Sequence, residues 1–181
     1  MSERINAPIS TAELERRWSA VRAAMKERGI DALLMQATND FMGGYVKWFT
    51  DLPATNGYPA TVVFPREERM TVIGQGPLNV VTEYPPEGDA LRRGVARFIG
   101  CPSYVAAAYS MAYDVSLAAK ALAPWARGTI GLVAPGGIGH SLVDGLQKGE
   151  CAAARWVDAT DLVDPIKSVK SEELAGPHPL Y

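Results

Sequence analysis

Few residues of this 181-residue chain are of types that do chemistry: its two histidines are His140 and His178, and its two cysteines are Cys101 and Cys151. A zinc or di-metal centre wants several His, Cys, Asp or Glu side chains converging on one point. No carboxylates stand near either histidine in the pattern such a centre needs. The sequence therefore names no catalytic residue, no metal ligand and no cofactor for this chain. The cysteines lie far apart with no CxxC spacing, and read as buried thiols of a reducing compartment rather than a disulfide.

One stretch has the composition of a binding loop. Pro135-Gly136-Gly137-Ile138-Gly139-His140 falls between a strand pattern and a helix pattern, where backbone amides at a helix start can hold an anion. Gly136, Gly137, Gly139 and His140 are the candidate anion-binding positions. The phosphate-loop pattern, however, needs Gly-Lys-Ser/Thr where this chain has Gly139-His140-Ser141. The dinucleotide fingerprint needs a small residue where Leu142 stands. A plain structural turn is the stronger reading.

A second stretch is rich in aromatic rings: Phe41, Tyr45, Trp48 and Phe49, followed by Thr50-Asp51-Leu52-Pro53 and then Tyr58. Aromatic side chains dominate burial, so Tyr45 and Phe49 are expected inside. Trp48, Tyr58 and Asp51 are the candidates for an interface or for shaping a pocket.

The elements that must position these residues follow from periodicity. Ser10-Thr11-Ala12-Glu13 fits a capping box at a helix start. Leu14, Trp18, Val21 and Met25 then share one face, and Gly29 supplies the stop. Ile30 to Met35 reads as a strand covered on both faces. Residues 38–53 read as a short irregular helix and a loop. Tyr58 to Phe64 and Met70 to Ile73 read as strands joined by a polar connector of hairpin length. Between Gly74 and Gly94 a loop is expected, with a turn of helix around Leu78 to Val81, and Val95 to Ile99 as a strand at an edge. Tyr113 to Ala126 is alanine-rich and helical. Thr129 to Ala134 is a buried strand, Ser141 to Lys148 a short helix, and Arg155 to Val157 the closing strand. Leu162, Val163 and Ile166 fall at helical spacing before the charged Lys170-Ser171-Glu172-Glu173.

Composition bounds the class. Hydrophobic residues make up 48%, charged residues 21%, and the net charge is -2, as in a single globular domain. That balance gives no electrostatic reason to expect nucleic acid or an anionic membrane as partner. No apolar run approaches the roughly 18 residues that span a bilayer, and no secretory leader is recognisable, so a cytoplasmic location is expected.

The end of this pattern resembles the creatinase/prolidase/Xaa-Pro aminopeptidase family. The matching residues are Val157, Asp158, Leu162, Val163, Lys167, Lys170, Ser171 and Glu173, and the Tyr45, Phe49, Thr50, Asp51 spacing is similar to that family's segment after the first strand. The resemblance implies an amino-terminal, non-catalytic domain over residues 1–173. It implies one α/β domain, a mixed five- to six-stranded sheet with helices on both faces, in a ribonuclease H-like layout. Residues 174–181 are expected to be a flexible tail, since Gly176, Pro177 and Pro179 cannot continue a helix.

In that family two divalent metals are held by Asp, His and Glu ligands of a carboxy-terminal domain, none of which can be carried onto this chain. The expected role is subunit association, as a homodimer or with a catalytic-domain partner, and shaping of a neighbouring substrate pocket. The alternatives are a free-standing small-ligand-binding α/β domain, and a truncated remnant of a full Xaa-Pro peptidase or creatinase. Nuclease chemistry would need carboxylates at strand centres. Ala32-Leu33-Leu34-Met35-Gln36 has none, and Asp51, Asp89 and Asp158 fall in loops or at strand ends.

Overall fold

The computed structural model describes residues 9–38, 43–52, 57–87 and 89–171. Helix α1 (Thr11–Arg28) begins where the Ser10 hydroxyl accepts the Glu13 amide at 3.1 Å. It ends on Gly29, whose φ of 64° is the left-handed conformation that releases the last carbonyls to a chain reversal. Strand β1 (Ala32–Ala37) follows, then the short helix α2 (Gly44–Thr50). The hairpin β2 (Ala60–Pro65) and β3 (Met70–Gln75) pairs antiparallel, with Val62 opposite Val72. The remaining elements are β4 (Val81–Glu83), β5 (Val95–Cys101), α3 (Met111–Leu122), β6 (Thr129–Leu132), α4 (His140–Lys148), β7 (Arg155–Asp158) and α5 (Thr160–Ser168).

The strands form one mixed sheet in the order β4-β5-β3-β2-β1-β6-β7. β1, β6 and β7 run parallel, β2 is antiparallel to both its neighbours, β5 is parallel to β3, and β4 is antiparallel to β5. Alternation along the strands sends side chains to two cores. Leu33, Met35, Val62, Phe64 and Val72 meet α1, α2 and α5 through Leu14, Trp18, Val46, Phe49 and Leu162. Ala32, Leu34, Val63, Ile73 and Ile99 meet α3 and α4 through Leu117, Leu122, Leu142 and Leu146. Helices therefore cover both faces, as the apolar run of β1 requires.

Three expectations need correction. The sheet has seven strands among the described residues, not five or six. The extra one is β4, whose three residues are all exposed, so it carries no burial pattern to read. Its presence makes β5 an interior strand rather than an edge. The stretch expected to form a turn of helix around Leu78 to Val81 instead enters β4 through a turn in which Val80 N donates to Pro77 O.

Candidate functional site

The aromatic stretch is seated by α1. Arg17 Nη1 donates to Trp48 O at 2.9 Å and Trp18 Nε1 to Phe49 O at 2.8 Å, so two α1 side chains satisfy carbonyls at the end of α2. The Arg17 guanidinium also lies 5.1 Å from the Trp48 ring centroid. Phe49 is fully buried between Trp48 and Phe64, while Tyr45 and Trp48 are half-buried against the same core. Asp51 caps α2 at φ 55°, accepting from Ile9 N at 3.1 Å and from Arg93 Nη2 at 2.6 Å. Of the candidate interface residues, Asp51 is bound into the domain, Trp48 is held through its carbonyl with its ring half-buried, and Tyr58 packs on Tyr104. Phe41 and Pro53 lie outside the described residues.

Arg17 belongs to a buried ion pair. Its Nε donates to Glu13 Oε1 at 2.7 Å, and both side chains are only 2% exposed. Arg16, together with Arg17, holds the Glu13 carboxyl down at about 2. In the capping box expected at this helix start, the Glu13 carboxylate was to bind backbone; here it is taken up by two guanidiniums.

Ser171, in the charged run that ends the family resemblance, has a buried hydroxyl with no hydrogen-bond partner. Helix α5 is tied to α1 and α2. Arg28 Nη1 reaches both Asp161 carboxylate oxygens at 2.8 Å, Tyr45 Oη donates to Asp164 at 2.5 Å, and Lys167 Nζ lies 4.0 Å from the Tyr45 ring centroid. Burial and the Asp164 carboxylate push the Tyr45 hydroxyl up to about 12. Glu172, Glu173, His178 and the expected tail, residues 174–181, lie outside the described residues.

The glycine-rich turn is held from within. Gly137 N donates to Ala134 O, Ile138 N to Pro135 O, and Gly139 N to Gln36 Oε1 at 2.9 Å. Gln36 is itself fixed by donating from Nε2 to Thr61 Oγ1. Those bonds occupy the amides of Gly137, Ile138 and Gly139. Gly136, Gly137 and His140 are exposed, and Gly139 packs against Gln36 and Met111.

Cys101 and Cys151 are both free and buried. The Cys101 thiol lies 3.7 Å from Asp114 Oδ1, and burial pushes it up to about 12, which keeps it a thiol and not a nucleophile. Asp114 is completely buried; burial raises its carboxyl above the usual range, and Oδ2 has no hydrogen-bond partner.

Among the described residues no three His, Cys, Asp or Glu side chains are placed to hold a metal ion together. A cleft of about 760 Å³ runs between α1 and residues 86–87 and 89–94, with Arg22, Arg69 and Arg93 in its walls. Arg69 gives its donors to Tyr84, Pro85 and Val95 carbonyls, and Arg93 to Ile9, Thr11 and Asp51.

Sequence reasoning missed the surface formed by residues 102–113, between β5 and α3. Tyr104, Val105, Tyr109 and Tyr113 are exposed there, and Tyr58 packs on Tyr104 with ring centroids 5.2 Å apart. Gly57 makes that packing possible: its φ is 74°, and a Cβ there would sit 2.3 Å from the Tyr104 ring. The signal available was the absence of charge in this stretch, not any catalytic pattern.

The seven strands among the described residues, with helices on both faces, match the fold of creatinase-type amino-terminal domains. Among solved structures the likeness runs to the amino-terminal domain of the cytoplasmic peptidase PepQ from Mycobacterium tuberculosis H37Rv, at 15% identity and TM-score 0.52, covering 84% of this chain and 98% of that one. An Xaa-Pro dipeptidase from Bacillus anthracis matches at 15% identity and TM-score 0.55, over 88% of this chain but 37% of that one. The amino-terminal domain of the FACT complex subunit SPT16 from Cicer arietinum (chickpea) matches at 14% identity and TM-score 0.58, over 91% of this chain and 40% of that one. These likenesses establish the fold. No family model and no curated protein matches the sequence. Among the described residues no helix is long and apolar enough to cross a membrane.

Proposed function

We propose that this chain acts as the non-catalytic amino-terminal domain of a creatinase/prolidase-like metallohydrolase, within a longer protein or as a stand-alone relative, in the cytoplasm. It serves subunit association and shapes a substrate pocket that another domain or chain builds. The observation that carries this reading is the fold likeness to PepQ's amino-terminal domain, which takes in 98% of that domain. The likeness to SPT16 fits the same view, since one layout serves proteins of different kinds.

The test is metal content and hydrolysis of Xaa-Pro dipeptides by the purified chain in Mn²⁺ or Co²⁺. The expected result is no turnover above a metal blank and no stoichiometric metal. Turnover that co-purifies with the chain would overturn the reading. A small-ligand-binding role is the second reading, favoured by the cleft of about 760 Å³ beside α1. Saturable protection of Arg93-containing peptides from hydrogen exchange by a small carboxylate such as citrate would support it, and exchange unchanged at saturating citrate would remove that ligand class.

A further inference from the structure

Residues 98–113 contain no charged side chain, in a chain of which 21% of residues are charged. Much of this stretch faces outward. Tyr109 is 82% exposed and Val105 50%, with Tyr104, Tyr113, Ala106 and Ala112 exposed around them. The loop is nevertheless ordered from inside. Buried Ser110 accepts the Tyr104 amide at 2.9 Å and donates to Ala107 O at 2.6 Å, while Val105 N donates to Gly57 O at 3.1 Å. A surface already held in shape loses little conformational freedom on docking.

We propose that the 102–113 surface, bordered by Tyr58, is a two-fold interface between two copies of this chain. This names the surface and the partner for the association reading above, and rests on it. In a two-fold interface a patch meets itself, so any net charge it carried would face its own copy. An uncharged patch escapes that repulsion, and it offers nothing to attract a partner chosen by complementary charge.

The size also fits. With about 200 Å² for each fully exposed tyrosine, the aromatic and aliphatic surface is on the order of 500 Å². A standard interface buries about 800 Å² per partner, of which somewhat more than half is nonpolar. The patch thus supplies the apolar centre and leaves a polar rim to its neighbours. Tyrosine is among the residues that carry binding energy at such centres.

Sedimentation velocity of the full chain over a dilution series tests this, comparing wild type with Tyr109→Glu, the milder Tyr109→Ser, and Leu91→Glu as an exposed site away from the patch. The expected result is equal self-association of wild type and Leu91→Glu, and association at least about tenfold weaker for both Tyr109 variants, because each substitution counts twice in a two-fold interface. Thermal unfolding of the dilute monomers should coincide. Unchanged association in both Tyr109 variants would overturn the surface and leave the association reading standing. A wild-type chain that stays monomeric throughout would overturn both. So would a monomer that floats with phosphatidylcholine vesicles, which would make the patch a lipid-facing one.

Discussion

The helical layer of α1, α2 and α5 and the loop leading into α3 are both rich in aromatic residues, but they use them in opposite ways. In the first, Trp18 and Arg17 grip carbonyls of α2, Tyr45 donates to Asp164, and Asp51 joins Ile9 to Arg93. The polar ends of these side chains are taken up by partners within the domain. In the second, backbone and Ser110 make the bonds, and Tyr104, Tyr109 and Tyr113 are left facing solvent. One region spends its side chains on holding the domain together. The other is held by its backbone and keeps its side chains available. An aromatic cluster is thus a candidate for recognition only where something other than the aromatic residues secures the chain.

Breaking the first region should cost most. Glu13→Ala strands the buried Arg17 guanidinium, and urea unfolding should show a loss of about 3 kcal/mol. The same pair gives acid sensitivity. The folded-state value of about 2 lies below the ordinary 4.5, so the stabilisation, on the order of 3 kcal/mol, is present above pH 4.5 and is lost as pH falls from there through about 2. Glu13→Gln should flatten that part of the stability profile; a profile as steep as wild type would detach the acid transition from this residue.

Gly57→Ala should come next, at about 1–3 kcal/mol, since it combines a positive φ with a clash on the Tyr104 ring. It sharpens the comparison, because it should also disturb the tyrosine surface, seen as altered near-ultraviolet circular dichroism. Asp114→Asn should act in the opposite direction. The raised carboxyl keeps a proton that the unfolded chain releases above about pH 4, so wild-type stability falls as pH rises from there through the raised value. The amide has no such fall, and the variant should be more stable at pH 7 by about 1 kcal/mol. A variant less stable than wild type at every pH would show that the acid group is needed for more than its proton. The smallest effect on stability belongs to Tyr109→Ser, within about 0.5 kcal/mol, since the side chain has little packing to lose.

Much of this architecture is legible in the residues themselves. Ser10 and Gly29 mark α1, the unbroken apolar run marks β1, and the polar connector marks the β2-β3 hairpin. β4 is not legible, because Val81, Thr82 and Glu83 are all exposed and gain their strand conformation only by pairing with Ile99, Phe98 and Arg97. The candidate site is legible in part. Asp51 stands out by its neighbours, but its guanidinium partner is 42 residues away in sequence, beyond the reach of any spacing argument. Which tyrosines face outward is equally non-local. It depends on the fold bringing Gly57 against Tyr104 and on Ser110 closing the loop.

Hydrogen–deuterium exchange of the chain at low and high concentration tests the central contrast most directly, reading peptides from residues 102–113 against peptides from residues 43–52. Slower exchange on concentrating that is confined to 102–113 and its Tyr58 border is the result this account predicts. Protection that appears in 43–52 instead, with 102–113 unchanged, would contradict it.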